Sequence, residues 1–193
     1  LVGSEMCIRD SLCMIEHIPD MIDAGINSFK VEGRMKTALY VAVVTRTYRE
    51  AIDDYYTSKE LYESKMEHYR EEIAACTFRQ FTTGFYYGKP NEETQIYDCN
   101  TYVKNRVYLG TVEEVTAAGE LVIHQKNKFC VGDAIEVMAF DGENVDVEVL
   151  AIHDEHGTEM ESAPHPKQLL CVKVSNSEKI RKGMIIRTRH CAA

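Results

Sequence analysis

The chain has 193 residues and a mass of 22.0 kDa; it is 45% hydrophobic and 27% charged, with a net charge of −9 from 22 basic and 31 acidic residues. That length buries a real core in one large domain or two small ones, while four prolines and eleven glycines exclude fibrous and low-complexity classes. No apolar run approaches the roughly 18–20 residues of a membrane-spanning helix, and the acidic balance disfavours non-specific nucleic-acid binding while leaving room for a local basic patch.

Residues 1–11, LVGSEMCIRDS, begin without Met and carry no hydrophobic period. They resemble a translated sequencing-adaptor read-through and are set apart as a non-native leader. The alternative is a native loop ahead of a helix. Residues 12–24 predict a short helix, with Met14, Ile15, Ile18, Met21 and Ile22 spaced three and four apart. Pro19 disturbs its centre, and Gly25 suits its C-terminal cap. Residues 26–32 predict a strand, with Phe29 and Val31 on one face and Ser28, Lys30 and Glu32 on the other. A turn at Gly33-Arg34 leads into a helix over 35–56, which keeps Leu39, Ala42, Val43, Tyr48, Ala51, Ile52 and Tyr55 at helical spacing. This order is a helix–strand–helix remnant of an α/β layer, because one strand cannot make a sheet.

Residues 57–76 predict a further helix through Leu61, Tyr62, Met66, Tyr69 and Ile73, whose Glu and Lys residues form a solvated face with weak pairs. FRQFTTGFYYGKPN, residues 78–91, reads as an aromatic loop. Phe85, Tyr86 and Tyr87, with Arg79 and Lys89, suit either base stacking or packing between domains. From 95 onward the pattern becomes short β segments over 108–115, 121–125, 133–138, 146–153, 169–174 and 184–189, separated by glycine turns. Strands at that spacing predict a small closed barrel. The expected organisation is the leader, an α/β remnant with an aromatic connector over 12–94, and an all-β barrel over 95–193.

The seven cysteines, Cys7, Cys13, Cys76, Cys99, Cys130, Cys171 and Cys191, form no CxxC pair and no metal-ligand ladder. Their odd count, without a signal-peptide pattern, points to reduced thiols in a cytoplasm, each acting as a small hydrophobe. His17, a lone His on a short helix, reads as a surface or packing residue rather than a catalytic one. His153, His156 and His165, with Asp154 and Glu155, fit no ligand spacing and read as hairpin charges.

The densest chemistry is Lys30, Glu32, Gly33, Arg34 and Lys36, with Tyr40 one turn later. Three cations and one carboxylate fall within seven residues. At the carboxyl end of a strand such groups meet ligands, and Arg34 offers a fork to a carboxylate or phosphate. The competing reading is a Lys–Glu pair filling a barrel interior with Arg34 capping a loop. No nucleophile elbow, HExxH, P-loop or dinucleotide fingerprint is present.

LCMIEHIPDMIDAGINSFKVEGRMKTALYVAVVTRTYREAIDDY, CTFRQFTTGFYYGKP, ETQIYD and ESAPHPKQ resemble the carboxyl-terminal part of the collagenase-like peptidase family, peptidase family U32. The resemblance runs from Leu12 to about Thr188. It implies the last helix–strand–helix of a TIM-barrel-like catalytic domain, followed by a barrel similar to those of translation factors. It also implies one of two activities for the parent protein: hydroxylation of tRNA uridine to 5-hydroxyuridine at the wobble position, or peptidase action on proteins. A non-catalytic substrate-binding module is a third reading. The fragment alone is expected to be inactive, and its macromolecular partner is tRNA or protein rather than a membrane. Hydroxylating relatives imply an iron–sulfur cluster and prephenate in the full-length parent, held upstream of Leu12. Within this chain the expected substrate-binding residues are Lys30, Glu32, Arg34, Lys36 and Tyr40, with no metal ligand.

Overall fold

The computed structural model describes residues 12–75, 83, 86 and 106–189. The chain divides into two compact units, Leu1–Lys104 and Asn105–Ala193. Among the described residues no helix is long and apolar enough to cross a membrane.

The first unit is helical. A 3-10 turn over Ile15–His17 runs into α1, Ile18–Asp23, with Pro19 in its first turn, where a missing N–H costs nothing. α2 spans Ala38–Thr57. Thr37 caps its start through Oγ1, which accepts a hydrogen bond from the Tyr40 amide at 3.2 Å. The predicted helix over 57–76 is two pieces, α3 Lys59–Ser64 and α4 Met66–Ala74, parted at Lys65. Ser58 ends α2 and begins α3, because its Oγ accepts from the Leu61 amide at 3.0 Å. Ile15, Ile18, Ala51, Tyr62, Tyr69 and Ile73 form the core of this unit. Tyr62 and Tyr69 are buried, with ring centres 5.8 Å apart. The Tyr62 hydroxyl donates to the Ile15 carbonyl at 2.7 Å, which satisfies the polar end of an otherwise apolar anchor.

The segment over 26–32 reads from its alternation as a lone strand whose sheet partners lie outside this chain. Those residues belong to no helix or strand, and no ladder pairs them among the described residues. Alternating side chains mark a segment that can be a strand, but hydrogen bonds to a neighbour make it one.

The second unit is all β: β1 Tyr108–Val115, β2 Leu121–Gln125, β3 Phe129–Cys130, β4 Ala134–Met138, β5 Val145–His153, β6 Glu159–Met160, β7 Ser162–Ala163, β8 Leu169–Val174 and β9 Ile185–Thr188. The ladder runs β4-β9-β1-β2-β8-β5, and β5 pairs back onto β4, so six antiparallel strands close a barrel. β6 extends β5, and β3 pairs β7 in a separate short ribbon. Inward residues fill the lumen: Leu109 and Val112 from β1, Leu121 and Ile123 from β2, Ile135 and Val137 from β4, Val147, Val149 and Ile152 from β5, Leu170 and Val172 from β8, and Ile186 from β9. β1 shifts register between Val112 and Glu114, and β5 between Val149 and Ala151; bulges of this kind help strands curve. Gly110 lies where β1 presses on β2. A Cβ there would sit 2.7 Å from Ile123 Cγ2 and 2.8 Å from the His124 carbonyl oxygen.

On the opposite face of β4 and β9, Glu136 and Arg187 are register partners. Glu136 Oε2 accepts from Arg187 Nε at 2.5 Å, from Arg106 at 2.7 Å and from Asn144 Nδ2 at 3.0 Å. Arg187 is completely buried. A charge taken from water stays ionised in a fold only when its counter-charge comes with it. Glu136→Ala removes that shared carboxylate and is expected to destabilise the barrel by about 3–5 kcal/mol in denaturant titration. A loss below about 1 kcal/mol shows the cluster to be dispensable.

Candidate functional site

The charged segment lies between two well-defined helix ends. α1 stops in a Schellman motif: the Gly25 amide donates to the Ile22 carbonyl at 2.9 Å and the Ile26 amide to the Met21 carbonyl at 3.1 Å. Gly25 has φ +81°, a conformation glycine adopts without a Cβ penalty. At the other end the Lys36 amide donates to the Gly33 carbonyl at 3.0 Å, closing a turn immediately before Thr37. Gly33 is packed closely there, since a Cβ would meet Val41 Cγ2 at 2.9 Å.

Between these ends Lys30, Glu32, Arg34 and Lys36 are all exposed. Glu32 Oε1 accepts from the Arg34 amide at 2.9 Å and from Arg34 Nε at 3.1 Å. The backbone donor, followed by the guanidinium and by the Lys30 charge, holds the Glu32 carboxyl below its ordinary range. Lys36 Nζ lies 5.7 Å from the centre of the Tyr40 ring, a cation–π contact. Thus Glu32 joins Arg34, and Lys36 joins Tyr40. No ion pair links Lys30 to Glu32 among the described residues; the Glu32 carboxylate is bonded to Arg34 instead. The chemistry available is exposed anion recognition: three cations against one carboxylate that is already committed to Arg34.

The sequence reading missed a second polar network. Asp54 Oδ2 accepts from the Tyr69 hydroxyl at 2.6 Å and from Lys65 Nζ at 2.9 Å, while Lys65 also reaches Glu50 at 3.2 Å. Burial, then the Asp54 partner, pushes the Tyr69 phenol up. Arg70 clamps Glu16 with two bonds of 2.9 and 2.7 Å, joining α4 to the 3-10 turn. Helical spacing places Lys65 on a solvated face of 57–76, but its partners Asp54 and Glu50 sit on α2, at separations that no helical period reveals.

The remaining candidates resolve locally. His17 Nδ1 lies 3.2 Å from Asp20 Oδ2 in the first turn of α1. Asp154 Oδ1 accepts from the amides of His156 and Thr158, so this group shapes a hairpin turn. His165 lies on the loop before β8. Of the aromatic loop, Tyr86 is described and exposed; Phe85, Tyr87, Arg79 and Lys89 lie outside the described residues, as do residues 1–11, Cys7, Cys76, Cys99 and Cys191. Cys13 Sγ is 3.6 Å from the Tyr48 hydroxyl, and burial raises the pKa of both groups. Cys171 Sγ donates to Glu120 Oε2 at 3.3 Å; burial first, then the carboxylate, pushes its thiol up to about 11. A protonated thiol is a poor nucleophile and a poor metal ligand. Among the described residues no three His, Cys, Asp or Glu side chains come together as a metal site.

Two family models match the chain: peptidase family U32 over residues 5–96, and the peptidase family U32 C-terminal domain over residues 104–187. The tRNA hydroxylation protein P1 of Bacillus subtilis is 35% identical over 177 residues, 89% of this chain and 42% of that protein. A collagenase of Porphyromonas gingivalis is 34% identical over 97 residues, 50% of this chain and 23% of that protein. The chain therefore spans less than half the length of these relatives. Among solved structures, the C-terminal domain of a U32 peptidase of Geobacillus thermoleovorans aligns at 28% identity with a TM-score of 0.39, covering 42% of this chain and 99% of that domain.

The Cys171 environment predicts slow alkylation at neutral pH, with half-maximal labelling near pH 11 by peptide mass spectrometry. Glu120→Gln removes a charge that opposes the thiolate, so it should shift that midpoint down and speed labelling at mildly alkaline pH. An unmoved midpoint means the carboxylate does not act on the thiol.

Proposed function

Because the chain belongs to peptidase family U32, we propose that it is the C-terminal part of a tRNA-hydroxylating member, which forms 5-hydroxyuridine at the wobble position. The span of the likeness carries this reading. Identity to the Bacillus relative named for tRNA hydroxylation runs through both units, whereas the collagenase relative matches half the chain. Peptidase action on a protein is the second reading, and the collagenase match is what favours it.

In this reading Lys30, Glu32, Arg34, Lys36 and Tyr40 hold an anionic group of the substrate or cofactor. Glu32 occupies the Nε edge of Arg34 and fixes the guanidinium plane. The two terminal nitrogens remain as a fork for a carboxylate or phosphate. Lys30 and Lys36 add charge on either side, and the Tyr40 ring restrains Lys36. The barrel positions the RNA. A tRNA substrate goes with a cytoplasmic location, and this segment alone performs no catalysis.

An iron–sulfur cluster does not fit the described residues. Cys13 belongs to the helical unit, Cys130 and Cys171 to the barrel, and no ligand group surrounds any of them. The cluster and prephenate belong, in this proposal, to the part of the parent that the longer relatives carry beyond the matched segment.

Expression of the full-length parent in a deletion strain, with tRNA nucleosides measured by mass spectrometry, tests the reading. Arg34→Ala should lower 5-hydroxyuridine and weaken affinity for the anionic group about tenfold or more, the typical worth of a charge-assisted hydrogen bond. Arg34→Lys should recover only part, because a point charge supplies no fork. The melting temperature should stay put, since Arg34 is exposed. A parent that cleaves protein and leaves tRNA unmodified overturns hydroxylation in favour of the peptidase.

A further inference from the structure

The barrel carries a basic rim that the site above does not use. At the end where β2 stops and β8 begins, residues 124–128 read HQKNK and residues 164–168 read PHPKQ. These ten positions contain three lysines, two histidines and no Asp or Glu, in a chain whose net charge is −9. Lys128, His165 and Lys167 are exposed and Lys126 is half-buried. No lysine of the three makes an ion pair among the described residues.

The fold builds this rim from segments about forty residues apart. The β3–β7 ribbon ties their bases, Phe129 opposite Ala163 and Cys130 opposite Ser162. Gln125, fully buried at the end of β2, ties their crests: its Nε2 donates to the Asn127 carbonyl at 3.1 Å and also to the Ala163 carbonyl. Two backbone bonds of 3.0 Å complete the join, from the Gln125 amide to the Gln168 carbonyl and from the Lys167 amide to the Gln125 carbonyl. The start of β1 supports the other side, where the Lys126 amide donates to the Leu109 carbonyl at 2.7 Å and Asn127 Nδ2 to the Tyr108 carbonyl at 2.7 Å. Arg106, just before that strand, is committed to Glu136.

Lys167 stands out within this frame. It is the one described non-glycine residue with positive φ, at 73°. A lysine there is strained where glycine or asparagine would sit comfortably. Strain that a buried amide network enforces at an exposed charged residue points to a functional constraint. Pro164 and Pro166 flank His165 and restrict the same loop.

We infer that Lys126, Lys128, His165 and Lys167 form a pre-organised docking rim for the phosphate backbone of RNA. The inference rests on the tRNA reading above and extends it to the barrel. Paired segments with fixed backbones present their cations at little ordering cost, and phosphate contacts position a nucleic acid without reading its sequence.

The test uses the 193-residue chain and an unmodified tRNA transcript, with affinity read by fluorescence anisotropy across about 50–200 mM salt. The rim variant combines Lys126→Gln, Lys128→Gln and Lys167→Asn; asparagine tolerates the left-handed backbone. A control variant, Lys179→Gln, Arg181→Gln and Lys182→Gln, removes the same charge at the opposite end of the barrel. The rim variant should bind roughly tenfold or more weakly, with a log–log salt slope shallower by about 2. The control should change affinity by no more than about twofold. Equal losses in both variants reduce the effect to bulk charge and overturn the rim. An unchanged affinity and slope in the rim variant also overturn it. So does a wild-type chain that binds no tRNA; the hydroxylation reading then stands or falls separately on the 5-hydroxyuridine content of cells carrying the parent.

Discussion

Four residue pairs between β4 and β5, from Ala134 with Glu148 to Val137 with Val145, turn an antiparallel sheet back on itself. Closure leaves the six strands without a free edge, which removes the usual template for strand-to-strand aggregation. It also gives each strand one inward row, and those rows meet as a single apolar core from Leu109 to Ile186. Once the core is apolar throughout, polar groups are pushed to the outer face and the ends. Glu136, one position from the inward Ile135 and Val137, faces the other way and collects Arg106 and Arg187. Gln125, the last inward residue of β2, spends its amide on the two loops at that end.

The helical unit is organised differently. Its core is small and aromatic, and much of its definition comes from polar contacts between helices: Tyr62 to Ile15, Tyr69 and Lys65 to Asp54, Arg70 to Glu16. The exposed pairs among these contribute modestly, because water screens them. The buried tyrosine hydroxyls matter more, since an unsatisfied phenol in an apolar core is costly. Against this background the segment from Lys30 to Lys36 is distinctive. Its charges do not staple helices to one another; Glu32 and Arg34 engage each other, Lys36 lies against the Tyr40 ring, and Lys30 faces solvent. Charge that does no structural work is available for binding.

An acidic chain repels polyanions over most of its surface and attracts them only where cations concentrate. The loop ahead of α2 and the rim of the barrel are two such places, each with cations concentrated in short segments nearly free of carboxylates. The loop carries a fork suited to one anionic group. The rim offers separated point charges suited to a run of phosphates.

Much of this was legible in the chain itself. Strands over 108–115, 121–125 and 169–174 coincide with β1, β2 and β8, because alternation and glycine turns are local properties. The helix start at Thr37 and the stop at Gly25 are local too, and the quoted motifs identify the family. Tertiary structure decided what depends on partners. Residues 26–32 alternate like a strand, but among the described residues no strand pairs with them. The helix over 57–76 breaks at Lys65, whose ammonium reaches Asp54 and Glu50 on α2. Glu136 meets arginines 30 and 51 positions away, and Gln125 joins a loop 38 positions away. A sequence determines local periodicity, capping and turn chemistry because those depend on near neighbours. Which charges meet, and which remain free to bind, is decided when the barrel closes and the helices pack, because Coulomb and hydrogen-bond energies depend on distance in space rather than along the chain.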